Sequence, residues 1–330
     1  MKAPVSRTGE NLYGQLAQFL AWLAAHNYSA YTIERYRETL GWFIKWAEER
    51  GLLRPQEITR PILERYQRWL HLYRKADGDP LPTRSQSARL STLRAWFKWM
   101  TRQNLLLYNP AADIELPRQE MRLPKHILTA TEVEQIMNVP DTGTALGVRD
   151  RAMLEVLYST GMRRMELIGL TLHSIDPERG TVMIRQGKGK KDRMIPIGER
   201  AIAWVQRYRD QVRPEFVLGH DDGTLFLSIR GEAISLNHLT GHVRKIIRAA
   251  GHGKSGSCHL FRHSMATLML ENGADIRYIQ AMLGHEDLKT TQVYTQVSIK
   301  MLKQVHSQTH PARLARAHRG EPDGQEIEEA

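Results

Sequence analysis

The second half of the sequence contains six residues whose side chains together could act on a phosphodiester. In chain order they are Arg163, Lys188, His259, Arg262, His285 and Tyr294. The planar guanidinium of arginine can bind two phosphate oxygens at once, and preorganised charged donors stabilise the extra negative charge of a pentavalent transition state. A tyrosine phenol, with an ordinary pKa of about 10, becomes an effective nucleophile beside cations. The six residues therefore indicate a cationic site with a tyrosine as the attacking group.

Each of these residues also has a simpler interpretation when it is considered alone. Arg163 could be a surface residue of a helix, and the lysines at 188–191 could belong to a solvated turn. Tyr294, between a valine and a threonine, could be a core tyrosine whose hydroxyl is satisfied. The chemical interpretation therefore depends on the six residues occurring together.

Three histidines raise a metal-dependent alternative. His259 and His263 are four positions apart on a predicted helix, a spacing that could present two imidazoles to one metal ion, and His252 precedes them. The glutamate of the HExxH pattern is absent because Leu260 stands in its place, and no third ligand is evident. We predict no metal and no other cofactor, and a metal-dependent nuclease or hydrolase using these histidines is one of the rival interpretations.

The charge of the chain predicts a polyanionic partner. Its 330 residues include 47 Lys and Arg against 36 Asp and Glu, a formal net charge of +11. The last ten residues contain five acids and no base, so the preceding chain carries +16. No apolar run reaches the roughly 18 residues needed to cross a bilayer, and no basic amphipathic stretch has an aromatic face. The predicted partner is therefore nucleic acid rather than a membrane.

Cysteine content and the first residues predict the compartment. The single cysteine, Cys258, excludes a disulfide within the chain and a cysteine-based zinc site of the usual kind. The first residues contain no apolar segment typical of a signal peptide. Together these features predict a reducing compartment, the cytoplasm.

The first hundred residues predict a helical domain. Apolar residues recur at helical spacing between Leu12 and Leu23, Ser29 is placed to cap a second helix, and Pro61 lies near the start of a third. Basic residues remain on the exposed faces of a fourth helix: Arg84, Arg89, Arg94 and Lys98. We predict a compact four-helix domain over residues 10–107.

Proline content predicts where the second domain begins. Residues 108–127 contain three prolines and no sustained periodicity, which is typical of an extended linker. Thr129 and Glu132 then have the spacing of a capping box at the start of a helix. We predict a second domain over 128–306 and a disordered tail over 307–330.

The second domain is predicted to be mainly helical with a small antiparallel sheet. A helix near 147–159 precedes two strands, 181–185 and 193–197, which flank a glycine-containing turn and indicate a β-hairpin. A further short strand is predicted over 224–228, and helices dominate from about 235 to 306. Too few βαβ units are present for a doubly wound sheet.

The motifs around the six residues resemble those of the tyrosine recombinase (phage integrase) family, and most closely its Xer-like members. Arg163, in TGMRRMEL, matches the first catalytic arginine of the family, and Glu166 matches its acidic partner three residues later. Lys188 corresponds to the hairpin lysine of the family.

The later motifs match the family in the same order. His259 and Arg262 form its His-x-x-Arg box, His285 follows Arg262 by 23 residues, and Tyr294 follows nine residues after that. Five motifs in order at the family spacing are a specific signal, and the resemblance covers roughly residues 10–305.

The resemblance implies both the fold and the activity. The fold would be mainly α, with a SAM-like four-helix core-binding domain and a mixed, mostly helical catalytic domain of the DNA breaking-rejoining type. The activity would be site-specific recombination, in which Tyr294 forms a 3′-phosphotyrosyl bond with DNA. The residues that would assist it are Arg163, Lys188, His259, Arg262, His285 and, in a supporting role, Glu166.

The same resemblance implies the partners. Strand exchange through a Holliday junction would need a tetramer, of this chain alone or with a paralogous recombinase, on two double-stranded DNA sites. Neither a metal nor ATP would be required, because the phosphotyrosine conserves the energy of the broken bond. The alternative from another class is a catalytically silent DNA-binding or architectural protein of the same fold, which would bind DNA without cleaving it.

Overall fold

A computed structural model of the chain describes residues 11–118, 126–185 and 192–284. It divides into two compact units, an N-terminal unit that ends at Met121 and a C-terminal unit that begins at Arg122. Three of the predicted site residues, Lys188, His285 and Tyr294, lie outside the described residues, as does the predicted tail.

The N-terminal unit contains the four predicted helices. Ser29 begins the second of them, because its Oγ accepts a hydrogen bond from the Thr32 N–H at 3.2 Å. A shared core buries large aromatic side chains that include Phe43, Tyr66 and Trp96. The helices are α1 (Leu12–Ala25), α2 (Ala30–Glu48), α3 (Arg60–Leu72) and α4 (Thr83–Arg102).

The N-terminal core extends past α4. Ala111 and Ile114, in the stretch predicted to be a linker, are buried against the helices of this unit. Of the four bases predicted on exposed faces of α4, Arg89 is partly buried instead, because its guanidinium stacks 3.8 Å from the ring centre of Trp42.

The C-terminal unit is mostly helical with a small antiparallel sheet, as predicted. Its sheet has the order β1-β2-β3, and the hairpin pairs Val182 with Ile195. The described elements are α5 (Ala130–Met137), α6 (Ala145–Thr160), α7 (Arg164–Ile168), β1 (Ile175–Asp176), β2 (Thr181–Ile184), β3 (Arg193–Pro196), α8 (Glu199–Arg207), a π-helical turn (Tyr208–Val212), α9 (Arg213–Phe216), α10 (Leu236–Ala249), α11 (Cys258–Glu271) and α12 (Ile276–Leu283).

Helix α6 forms the centre of this unit. Every residue from 147 to 157 is buried, and the charged ones among them are paired. Arg149 binds Asp150 at 2.8 Å, and Arg151 binds Glu155 at 2.9 Å, which offsets the cost of removing these charges from water. The helix thereby provides a fixed platform whose C-terminal end, at Gly161, reaches the candidate site.

The prediction of a strand over 224–228 is wrong. The segment forms only isolated bridges, Thr171 with Thr224 and Leu227 with Ala233. The Arg213 guanidinium binds the carbonyl oxygens of Thr224 and Leu225. Backbone hydrogen bonds still join Leu225 to Leu170 and Leu172 to Gly223, but they are too few to extend a strand over 224–228. The two-residue strand β1, in contrast, was not predicted.

Within the described ranges, no helix is long and apolar enough to cross a membrane.

Candidate active site

Arg163 is positioned by the start of helix α7. It is the residue that caps this helix, and its backbone N–H donates to Oε2 of Glu166 at 2.7 Å. Its guanidinium Nη1 donates to Oε1 of the same carboxylate at 3.0 Å. The three-residue spacing therefore has a physical reason, since a glutamate in the third helical position can reach back to the capping residue.

Glu166 binds a second arginine that sequence reasoning missed. Arg193, at the start of β3, donates from Nη1 and Nη2 to the two carboxylate oxygens at 2.8 and 2.7 Å, the bidentate geometry that arginine and carboxylate favour. The only sequence signal was the alternation of RMIPI, which puts Arg193 on the same face of the strand as the buried Ile195.

Burial and charge act in opposite directions on Glu166. Burial is the largest single influence and by itself would raise the pKa of the carboxyl. Hydrogen bonds from Arg193 and from the Arg163 N–H, together with both guanidinium charges, outweigh it and hold the pKa below its ordinary value. Glu166 is therefore an anion at neutral pH, and it supports the two arginines rather than transferring a proton.

Arg262 lies on helix α11 and is almost completely buried. Its Nη1 donates to the carbonyl oxygen of Gly161 at 2.6 Å, and its Nη2 donates to that of Leu283 at 2.7 Å. Nη2 of Arg163 donates to the carbonyl oxygen of the next residue, Gly284, at 3.1 Å. The two guanidinium groups therefore meet at the adjacent residues 283 and 284, where α12 ends.

Helix ends explain why these carbonyl groups are available. Gly161 and Gly284 end α6 and α12 in the left-handed conformation, with φ of 59° and 60°. The last carbonyl groups of a helix have no partner within it and carry the negative end of its dipole, so they favour cations. Backbone carbonyl groups at these two helix ends therefore hold the guanidinium groups of Arg163 and Arg262 in place.

His259 lies one helical turn before Arg262 on α11. The residue as a whole is exposed, but protein atoms surround part of its ring. This partial burial, followed by the positive charges of Arg262, Arg164 and Arg163, lowers the pKa of His259 below its ordinary value. The imidazole is therefore neutral at pH 7 in the free protein and can accept a proton.

His263, on the next turn of α11, is less accessible. Burial is the main cause that lowers its pKa to about 4, with the charges of His259 and Arg262 adding to the effect. In residues 11–118, 126–185 and 192–284, no three histidine, cysteine or carboxylate side chains are grouped so that they could hold a metal ion. The histidine trio of the metal-dependent alternative is not such a group.

Acid should destabilise the protein through His263. The pKa is about 4 in the folded protein against about 6.5 unfolded. The unfolded chain therefore binds more protons between these values, and stability falls as pH drops from about 6.5 to 4. We expect His263→Gln to remove on the order of 2–3 kcal/mol of this pH dependence, measured by urea unfolding at several pH values. Parallel curves for both proteins would contradict the prediction.

Gly161→Ala should disrupt the packing around Arg262. A Cβ at this position would overlap the Met265 methyl group and lie 3.0 Å from Cδ2 of Leu283. We expect a loss of about 2–4 kcal/mol in the free energy of unfolding, from the left-handed backbone and the overlap together. Gly253→Ala is the matched control: its φ is +70° but nothing lies within 4 Å of the added Cβ. Equal losses in urea unfolding would disprove the role of packing.

The structure thus brings together Arg163, Glu166, His259 and Arg262, and it adds Arg193. The other three predicted residues lie outside the described ranges: Tyr294 is ten residues beyond Gly284, and only Lys188 and His285 are close in the chain to described residues. Lys188 lies in the connection between the paired residues Ile184 and Arg193, and His285 directly follows Gly284.

Comparisons with known proteins match both units of the chain to one family. Residues 126–301 match the family model described as "Phage integrase family", and residues 16–104 match "Phage integrase, N-terminal SAM-like domain". The chain is similar to "Tyrosine recombinase XerC 2" of Ralstonia nicotianae, with 48% identity over 300 residues that cover 91% of this chain and 86% of the relative. It is also similar to "Tyrosine recombinase XerD" of Pseudomonas putida, with 39% identity over 84% of this chain and 90% of the relative.

Solved structures share the fold. The crystal structure of XerA recombinase is 27% identical with a TM-score of 0.51, over 90% of this chain and 99% of that one. The post-cleavage complex of XerH site-specific recombinase with a palindromic difH substrate is 24% identical with a TM-score of 0.67, over 89% of this chain and 84% of that one.

Proposed function

Because this chain belongs to the phage integrase family and is a tyrosine site-specific recombinase, we propose that it breaks and rejoins DNA with Tyr294 as nucleophile. The observation that carries the residue assignment is the meeting of Arg163 and Arg262 at the carbonyl groups of Gly284 and Leu283. Two guanidinium groups anchored on adjacent backbone carbonyl groups support the proposal that both bind the same phosphate.

The proposed cleavage step is an in-line substitution at phosphorus. The phenol oxygen of Tyr294 bonds to phosphorus, the P–O5′ bond breaks, and a 3′-phosphotyrosyl bond and a 5′-hydroxyl result. Arg163 and Arg262 bind the non-bridging oxygens and stabilise their developing charge. Lys188 donates a proton to the leaving 5′ oxygen, and the neutral His259 accepts the phenol proton.

Rejoining reverses this step with another strand. The 5′-hydroxyl of the partner duplex attacks the phosphotyrosine and releases Tyr294. His285 helps to hold the phosphate and to transfer the proton. The number of phosphodiester bonds is unchanged, so ATP is not needed, and Arg163, Arg262 and Lys188 supply the positive charge that a metal ion would otherwise provide. Exchange of both strands between two duplexes requires four cleavages, which supports a tetramer of this chain or of this chain with a paralogue. The proposed substrate is double-stranded DNA, and the proposed compartment is the cytoplasm.

Surface charge supports the DNA partner. Exposed bases lie on helix α4 of the N-terminal unit, among them Arg94 and Lys98, and on α10 of the C-terminal unit, among them Arg244, Lys245 and Arg248. Contacts from such side chains to phosphates displace counterions, so affinity should fall steeply with salt.

Covalent trapping tests the proposal and identifies the DNA site in one experiment. Host genomic DNA is nicked lightly, so that a short fragment can diffuse away after cleavage, and it is incubated with the protein in EDTA. We expect an SDS-resistant complex whose peptide carries the DNA on Tyr294, and sequencing of the attached DNA gives the site.

Other outcomes of this experiment would favour the alternatives. DNA binding without a covalent product would favour the catalytically silent protein. Cleavage in a parallel reaction with Mg²⁺ that is absent in EDTA would favour the metal-dependent hydrolase. A second reaction uses two DNA molecules that carry the recovered site between different flanking sequences. Recombination yields products with exchanged flanking sequences, whereas a topoisomerase activity rejoins each site to its own.

A further inference from the structure

The carboxylate of Glu166 is shared by two separate segments of the chain. It binds Arg163 on one side, and it binds Arg193, 27 residues further along, through a bidentate pair. The Glu166 side chain is only 4% exposed and that of Arg193 only 15%. A pair so well shielded from water is stiffer than a surface ion pair, because solvent neither screens it nor competes for its donors.

Arg193 lies where the hairpin connection returns to the sheet. Its backbone pairs with Ile184 at the end of β2, so residues 185–192 link two fixed positions. Lys188 lies within this link. Arg193 is therefore the point at which the lysine-bearing connection is attached, through a side chain, to the helix that presents Arg163.

The same side chain also packs against the end of α12. A Cβ built on Gly284 would lie 3.0 Å from Nε of Arg193 and 3.1 Å from its Cδ and Cζ. A side chain at position 284 would therefore push the Arg193 guanidinium outward, and it would also be strained by the left-handed backbone, whose φ is +60°. The carbonyl oxygen of Gly284 at the same time accepts the hydrogen bond from Arg163, so Arg193 and Arg163 both lie against the residue that precedes His285.

We propose that Arg193 is a positioning residue: its bidentate bond to Glu166 ties the connection that carries Lys188 to the helix that presents Arg163. The inference rests on the proposed function, in which Lys188 protonates the leaving oxygen. Arg193 touches neither DNA nor the reacting atoms in this scheme, and it acts on the chemistry by holding one end of the Lys188-bearing connection against the helix that presents Arg163.

A change of leaving group separates this role from a merely structural one. In a substrate with sulfur in place of the bridging 5′ oxygen, the thiolate leaves without needing a proton, so a misplaced general acid no longer matters. We expect Arg193→Gln to slow cleavage of the oxygen substrate by about 10²-fold, the lower end of general-acid contributions. Cleavage of the sulfur substrate should stay within about threefold of wild type, because that contribution is not used there.

Two further variants complete the test. Arg193→Lys keeps the charge opposite Glu166 but loses the two-pronged geometry, so it should fold and show the same substrate dependence in weaker form. Arg179→Gln, which breaks an exposed ion pair with Asp176 beside the same sheet, should leave both rates unchanged. Rates are measured in single turnover on the recovered site, with DNA binding as the check on folding.

The outcomes distinguish this inference from the function on which it rests. Equal slowing on both substrates, or no slowing of the oxygen substrate in either Arg193 variant, would overturn the positioning role. Wild-type protein that forms no covalent product on either substrate would overturn the proposed chemistry, and the inference with it.

Discussion

Replacement of Tyr294 by phenylalanine is expected to abolish covalent attachment to DNA while DNA affinity stays within about twofold of wild type. The change removes one oxygen atom, and with it the nucleophile, but it leaves the positive charge that governs binding to phosphates. Loss of an enzyme nucleophile lowers the rate by at least about 10⁴-fold. The measurement is the amount of SDS-resistant complex on a nicked substrate that contains the recovered site.

A second tyrosine provides the matched control. Tyr278 lies on α12, 72% exposed, within the same region of the chain. Tyr278→Phe should form the covalent complex at the wild-type rate. Persistence of the complex in Tyr294→Phe, or its loss only in Tyr278→Phe, would show that the nucleophile has been assigned to the wrong residue.

Local sequence patterns were sufficient to predict the parts of the site that local structure builds. Arg163 and Glu166 are three residues apart because one caps α7 and the other reaches back to it. His259 and Arg262 are likewise three apart, so they lie on the same side of α11. In the N-terminal unit, apolar spacing and the cap at Ser29 were sufficient for the four helices.

Contacts between distant segments were not predictable in this way. Arg193 meets Glu166 only because the sheet returns the chain to α7, and the sequence around Arg193 carries no motif for such a pairing beyond its inward-facing register. The charges buried along α6, such as Arg149 and Asp150, interrupt an apolar pattern and become understandable only with their partners. Tertiary contacts also determine the conformation of residues 224–228. The Arg213 side chain binds backbone carbonyl groups in this segment, for which the apolar pattern predicted a strand.

Arg262→Lys is expected to reduce the cleavage rate by about 10³-fold, close to what the loss of a preorganised donor costs in other active sites. Lysine keeps the positive charge, but its single ammonium group cannot reproduce the fork that binds the carbonyl oxygens of Gly161 and Leu283 together. One carbonyl group would stay unsatisfied in the buried site, so stability should also fall by about 1–3 kcal/mol.

Geometry and charge can be separated with a surface arginine. Arg248→Gln removes one positive charge from the exposed face of α10, so it should weaken DNA binding and lower its salt dependence without changing the single-turnover cleavage rate of bound DNA. Arg262→Lys should do the reverse, with nearly unchanged binding and slow cleavage. If the two variants instead lost affinity and rate in the same proportion, Arg262 would contribute only charge, and the backbone carbonyl groups that fix its guanidinium would have no part in catalysis.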